Sequence, residues 1–114
     1  DNWLGTKLGN GVGISVVITK ESVKIRVEIK GNNKEDTLKI FDYLYQHKEE
    51  IESKFQYPVN WERCPATVYS FIIITNEAVG YSDKSEWRGA NEFLIEESYK
   101  MQKILKSLLD KFVL

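Results

Sequence analysis

Polar and apolar residues alternate most strictly between Val23 and Lys30, where Val23, Ile25, Val27 and Ile29 interleave with Lys24, Arg26, Glu28 and Lys30. Side chains along a strand point to opposite faces in turn, so this period of two predicts a strand with one face in a core and the other in water. A β-rich run from Val12 to Thr19 precedes it across Lys20-Glu21-Ser22, and the two read as a hairpin. Gly31-Asn32-Asn33 then breaks the strand and offers a helix cap. Asn33 or Asn32 can accept from the first free amides, with Glu35 and Asp36 well placed in the first turn. From Lys34 to about Lys54 the period lengthens, and Leu38, Phe41, Leu44, Tyr45, Ile51 and Phe55 fall on one helical face.

Tyr57-Pro58 ends that helix, Val59 to Arg63 resumes an extended pattern, and Cys64-Pro65 interrupts it. Ala66 to Thr75 is rich in β-branched and aromatic residues with apolar side chains on both faces, the pattern of a central strand. Asn76 to Asp83 reads as a loop. From Lys84 to Phe112, Trp87, Leu94, Met101 and Leu108 recur every seven residues, joined by Ala90, Leu105, Leu109 and Phe112. A helix of roughly 28 residues would run about 42 Å, longer than a core of this size requires. The surplus stripe is therefore expected to serve self-association or docking to an adjacent domain of the same protein, with Trp87, Leu94, Met101, Leu105 and Leu108 as the interface. The expected class is α+β: a mainly antiparallel sheet of about four strands with two helices in ββα-ββα order, the C-terminal helix being long.

Composition narrows the functional classes. The 114 residues fit one domain, 1–114, and 42% apolar against 29% charged residues excludes a disordered or fibrous chain. Sixteen basic and 17 acidic residues leave a net charge of −1, so there is no strong long-range field to gather phosphates, and any nucleic-acid role must rest on a local patch. A single cysteine, Cys64, cannot form an internal disulfide, which makes the cytoplasm the simplest compartment. The longest apolar run, Phe71-Ile72-Ile73-Ile74, is far short of a membrane span. The chain opens at Asp1 without an initiator methionine, as expected of a piece of a longer protein.

Candidate chemistry is sparse. Glu28-Ile29-Lys30 matches the short E-x-K element of restriction-type nucleases, yet the only acids before it are Asp1 and Glu21, so no second metal ligand is evident; the plainer reading is an exposed strand face. Lys48 falls on the apolar side of the first helix, where it could hold a ligand carboxylate or phosphate, or simply snorkel and pair with Glu52. His47 and Cys64 are single and assemble no catalytic or zinc-ligand set, so no metal, cofactor or catalytic residue is assigned. Gly9-Asn10-Gly11-Val12-Gly13 precedes a strand, not a helix, which argues against a phosphate cradle. Lys24, Arg26 and Lys30, with Trp61 and Arg63 from a later strand, could form a basic-aromatic patch if strands and faces agree; otherwise Trp61 closes the core beneath the turn.

One stretch of the chain resembles a known family. The strand Ile25-Arg26-Val27-Glu28-Ile29, the block Ile40-Phe41-Asp42-Tyr43-Leu44 followed by Lys48, then Ile51-Glu52 with Phe55, and Trp61-Glu62-Arg63 are similar in order and spacing to the bacterial family called domain of unknown function 4268. The resemblance runs from Ile25 to Phe112. Two departures stand out: Gln56 occupies a position where the family usually has glycine, and Ser70-Phe71-Ile72 stands where it tends to carry Ser-Arg-Ile. The resemblance implies an accessory domain, often found behind nuclease-like domains, and a DNA-processing or defence setting without chemistry of its own. The combined expectation is a non-catalytic accessory or interaction module. The alternatives are a nucleic-acid-binding module using Lys24, Arg26, Lys48, Trp61 and Arg63, and, more remotely, a metal-dependent nuclease.

Overall fold

The computed structural model describes residues 5–9, 11–77 and 84–112. Its centre is an antiparallel sheet built from β1 (Gly5–Gly9), β2 (Val12–Ile18), β3 (Val23–Lys30), β4 (Val59–Glu62) and β5 (Tyr69–Asn76), in the order β1-β2-β3-β5-β4. Strict alternation in β3 does what it predicts: Val23, Ile25, Val27 and Ile29 are fully buried, and the residues between them are not. Registers Ile25↔Val16, Ile25↔Ile74 and Val27↔Ile72 extend that apolar face across three strands. β1 is an addition to the expected strands, for GTKLG, three residues between two glycines, is too short for a period to announce it.

The helices are α1 (Lys34–Tyr45), α2 (Lys48–Glu52) and α3 (Trp87–Leu109), the last entered through a 3-10 turn at Lys84–Glu86. Asn33 caps α1 as the sequence implies: its Oδ1 accepts from the Asp36 amide at 2.8 Å. The single helix expected to reach Lys54 is interrupted. Gln46 donates to the Asp42 carbonyl and His47 to the Leu44 carbonyl, tightening the last turn, and His47 sits at φ −100°, ψ 20° before α2 restarts. Angular positions reckoned through residue 54 as one continuous helix therefore lose their phase at this break.

α1 and α3 lie side by side on the apolar face of the sheet. The Tyr43 hydroxyl donates to the Leu108 carbonyl at 2.6 Å, and its ring packs on Phe112 with centroids 4.5 Å apart. Thr37, wholly buried, fixes the other end of α1: its hydroxyl donates to the Val68 carbonyl at 2.6 Å and accepts from the Gly31 amide at 2.8 Å. The expected surplus of helix is absent. α3 has 23 residues, about 35 Å at 1.5 Å per residue, and lies within the 45 Å long axis of the molecule. Leu94, Met101, Leu105 and Leu108 are buried against the protein's own sheet, so the proposed interface stripe is core. Of that set only Trp87 stays exposed, with Lys84 Nζ 5.7 Å from its ring centroid. The outward side of α3 instead shows Ile95 and Tyr99, neither of them in the heptad stripe.

Candidate functional site

The parity of the strands separates the residues that the sequence grouped together. On β4, Trp61 pairs with Ile72, whose side chain is in the core, so Trp61 turns toward the helices; Arg63, two residues on, follows it. Lys24, Arg26 and Lys30 occupy the opposite face. The expected patch of those cations with Trp61 and Arg63 is therefore not formed.

Trp61 and Arg63 line a cleft of about 670 Å³ with Phe41, Asp42, Tyr45, Lys48 and Glu52. Within it Trp61 and Glu52, Arg63 and Asp42, and Lys48 and Tyr45 are partnered with one another. The Trp61 indole N–H donates to Glu52 Oε2 at 2.7 Å, and its ring meets Tyr45 edge-on with centroids 5.2 Å apart. Arg63 forms a two-pronged pair with Asp42, Nε to Oδ1 at 3.0 Å and Nη2 to Oδ2 at 3.2 Å. That hydrogen bond first, and the carboxylate's charge second, hold the guanidinium pKa above its ordinary value. The pair is thus intact at neutral pH. Lys48 makes no ion pair with Glu52 among the described residues; its ammonium lies 5.2 Å from the Tyr45 ring centroid and 3.5 Å from that hydroxyl. Mutual satisfaction makes this cleft a clasp that holds β4 to α1 and α2.

The other sheet face is less self-sufficient. No described helix covers it. Lys24, Arg26, Glu28 and Lys30 stand at alternate positions of β3, and none forms an ion pair with a described residue. Beside them on β5 stand Tyr69, Phe71, Ile73 and Thr75. The Tyr69 and Phe71 rings are parallel within 4°, their centroids 6.2 Å apart. Arg26 Cζ is 5.6 Å from the Phe71 centroid, and Lys30 Nζ is 5.5 Å from that of Tyr69. Arg26 Nε is shielded from water without an acceptor, and so is the hydroxyl of Ser15, its cross-strand partner. Toward β1 the face opens into a hollow of about 330 Å³ between Glu28 and Lys30 and the glycines Gly9, Gly11 and Gly13, which put no side chains into it.

Neither Tyr69 nor Phe71 is among the site residues the sequence suggests, Phe71 standing out there only as a departure from the family's arginine. The signal was present, since they alternate with buried Ser70 and Ile72, but their placement beside Arg26 and Lys30 depends on β5, not β4, adjoining β3.

Among the described residues no three His, Cys, Asp or Glu side chains converge as metal ligands. His47 packs edge-on against Tyr43 and approaches Glu50, while the half-buried Cys64 lies in the turn after β4. Glu97, a buried carboxylate the sequence did not flag, pairs with Lys100 at 2.9 Å; Lys100 also donates to the Lys54 carbonyl and sits over Phe55. These contacts tie α3 to the end of α2. No described helix is long and apolar enough to cross a membrane.

Against known proteins, the model of a family described as Domain of unknown function (DUF4268) matches residues 1–109. No curated protein and no solved structure matches the chain.

Proposed function

The chain belongs to the DUF4268 family, and from that premise we propose that it is a non-catalytic interaction module whose binding surface is the helix-free face of its sheet. The carrying observation is the column Lys24, Arg26, Glu28 and Lys30, which makes no ion pair with a described residue and stands beside the parallel rings of Tyr69 and Phe71. A group kept for a partner contributes little to its own fold and leaves polar atoms incompletely matched. The unpartnered Arg26 Nε fits that description, whereas Trp61 with Glu52 and Arg63 with Asp42 in the clasp cleft, bonded to one another, do not.

Replacing Arg26 with methionine tests this reading without a ligand. Methionine keeps the apolar stem and removes the guanidinium. Losing its contact with Phe71 costs about 0.5 to 1 kcal/mol, while removing a shielded donor without an acceptor returns about 1 kcal/mol or more. Denaturant midpoints should therefore show stability unchanged within about 1 kcal/mol, or raised. A loss above about 2 kcal/mol would make the guanidinium a structural element and overturn the reading.

A further inference from the structure

The chemistry of this face selects its occupant: we infer that it binds single-stranded nucleic acid, with Tyr69 and Phe71 stacking on bases and Lys24, Arg26 and Lys30 meeting phosphates. The inference rests on the helix-free face being the binding surface and adds what it holds. Alternate residues of a strand are about 6.6 to 6.8 Å apart, a step comparable with the phosphate repeat of an extended strand; Lys24 and Arg26 stand one such step apart and Lys30 two steps beyond, with Glu28 on the rung between. The three cations are concentrated on one face of a chain whose net charge is −1. The two rings lie in the row immediately beside them.

A nucleic acid supplies an anion and a flat aromatic ring in every residue, the partners that the cations and rings of this face suit. A protein partner would have to place several carboxylates along one strand and flat groups along the next. A duplex hides its base faces inside the stack, so only an unpaired strand can use the rings. The carboxylate of Glu28, between the cations and in no ion pair with a described residue, repels phosphate and can accept from base amino groups. It borders the glycine-lined hollow of about 330 Å³, room enough for one base on the side of the cation row away from the rings.

Fluorescence anisotropy with labelled single-stranded DNA and RNA of about ten nucleotides, the matching duplex, inorganic polyphosphate as competitor and an acidic peptide tests the assignment. Single strands should bind best, with a log K against log salt slope of about −2, from about −0.7 for each of three phosphates neutralised. Tyr69→Ala and Phe71→Leu should each weaken binding about tenfold, and Lys24→Gln with Lys30→Gln should flatten the slope. Thermal unfolding of each variant confirms that it is folded, and Phe71→Leu preserves apolar bulk beside the sheet. Polyphosphate competing as well as a single strand, or ring variants binding unchanged, would reduce the face to a charge patch and overturn the inference. Preference for the acidic peptide, or no nucleic-acid binding at all, would overturn the occupant. In either case an Arg26→Met protein of undiminished stability would leave the face itself standing as the binding surface.

Discussion

Gly11→Ala should be among the most damaging single-methyl changes in the protein, lowering stability by about 3 kcal/mol or more. Gly11 has φ +79°, a left-handed conformation that costs an alanine about 1 to 2 kcal/mol. Its Cβ would also fall 2.0 Å from the Lys30 carbonyl oxygen and 2.8 Å from the carbonyl carbon, both backbone atoms that cannot rotate away. To make room, the β1–β2 turn must leave the end of β3, breaking the bond from the Lys30 amide to the Gly11 carbonyl at 2.8 Å. Gly9→Ala is the control. Its φ is +97°, but nothing lies within 4 Å of the added carbon, so only the conformational cost of about 1 to 2 kcal/mol applies. Urea unfolding of both variants should rank Gly11→Ala well below Gly9→Ala; equal losses would mean that the turn does not rest on β3 in this way.

Leu105→Ala should cost about 3 to 4 kcal/mol, within the usual range for an aliphatic side chain removed from a close-packed core. Leu105 is fully buried toward the C-terminal end of the α3 stripe and belongs to the hydrophobic core. For a domain of ordinary stability, 5 to 15 kcal/mol, that is a large fraction. Chemical denaturation followed by far-UV circular dichroism measures it. A loss under about 1 kcal/mol would place the stripe outside the core, as the heptad spacing alone implies for an interface. Ile95→Ala, on the outward side of the same helix, should stay within about 0.5 kcal/mol.

Local patterns carried the fold further than the site. The β3 alternation, the Asn33 cap and the amphipathic α3 are each decided by residues within a few positions of one another, and each is found where the sequence puts it. β1 was illegible because a short glycine-bounded edge strand has no periodicity to read. The break at Gln46-His47 was illegible because neither residue is a breaker; the apolar spacing on both sides continues plausibly through it. Heptad spacing in α3 was legible but not what it faced, since a stripe looks the same whether a partner or the chain's own sheet covers it.

The site failed for a different reason. Lys24 and Arg26 were read on the correct strand face, but Trp61 and Arg63 were joined to them by sequence character, and one strand parity sends those two to the opposite side of the sheet. Their replacements, Tyr69 and Phe71, come into place only through the non-sequential neighbour order β3-β5-β4.

The most direct measurement of the central claim is an amide NMR titration of the protein with a single-stranded oligonucleotide at low salt. The account predicts shift changes concentrated at Lys24, Arg26, Glu28, Lys30, Tyr69 and Phe71, with the indole N–H of Trp61 undisturbed in its bond to Glu52. Changes centred on Asp42, Lys48, Trp61 and Arg63 would move the site to the clasp cleft and contradict it, as would a spectrum that does not respond at all.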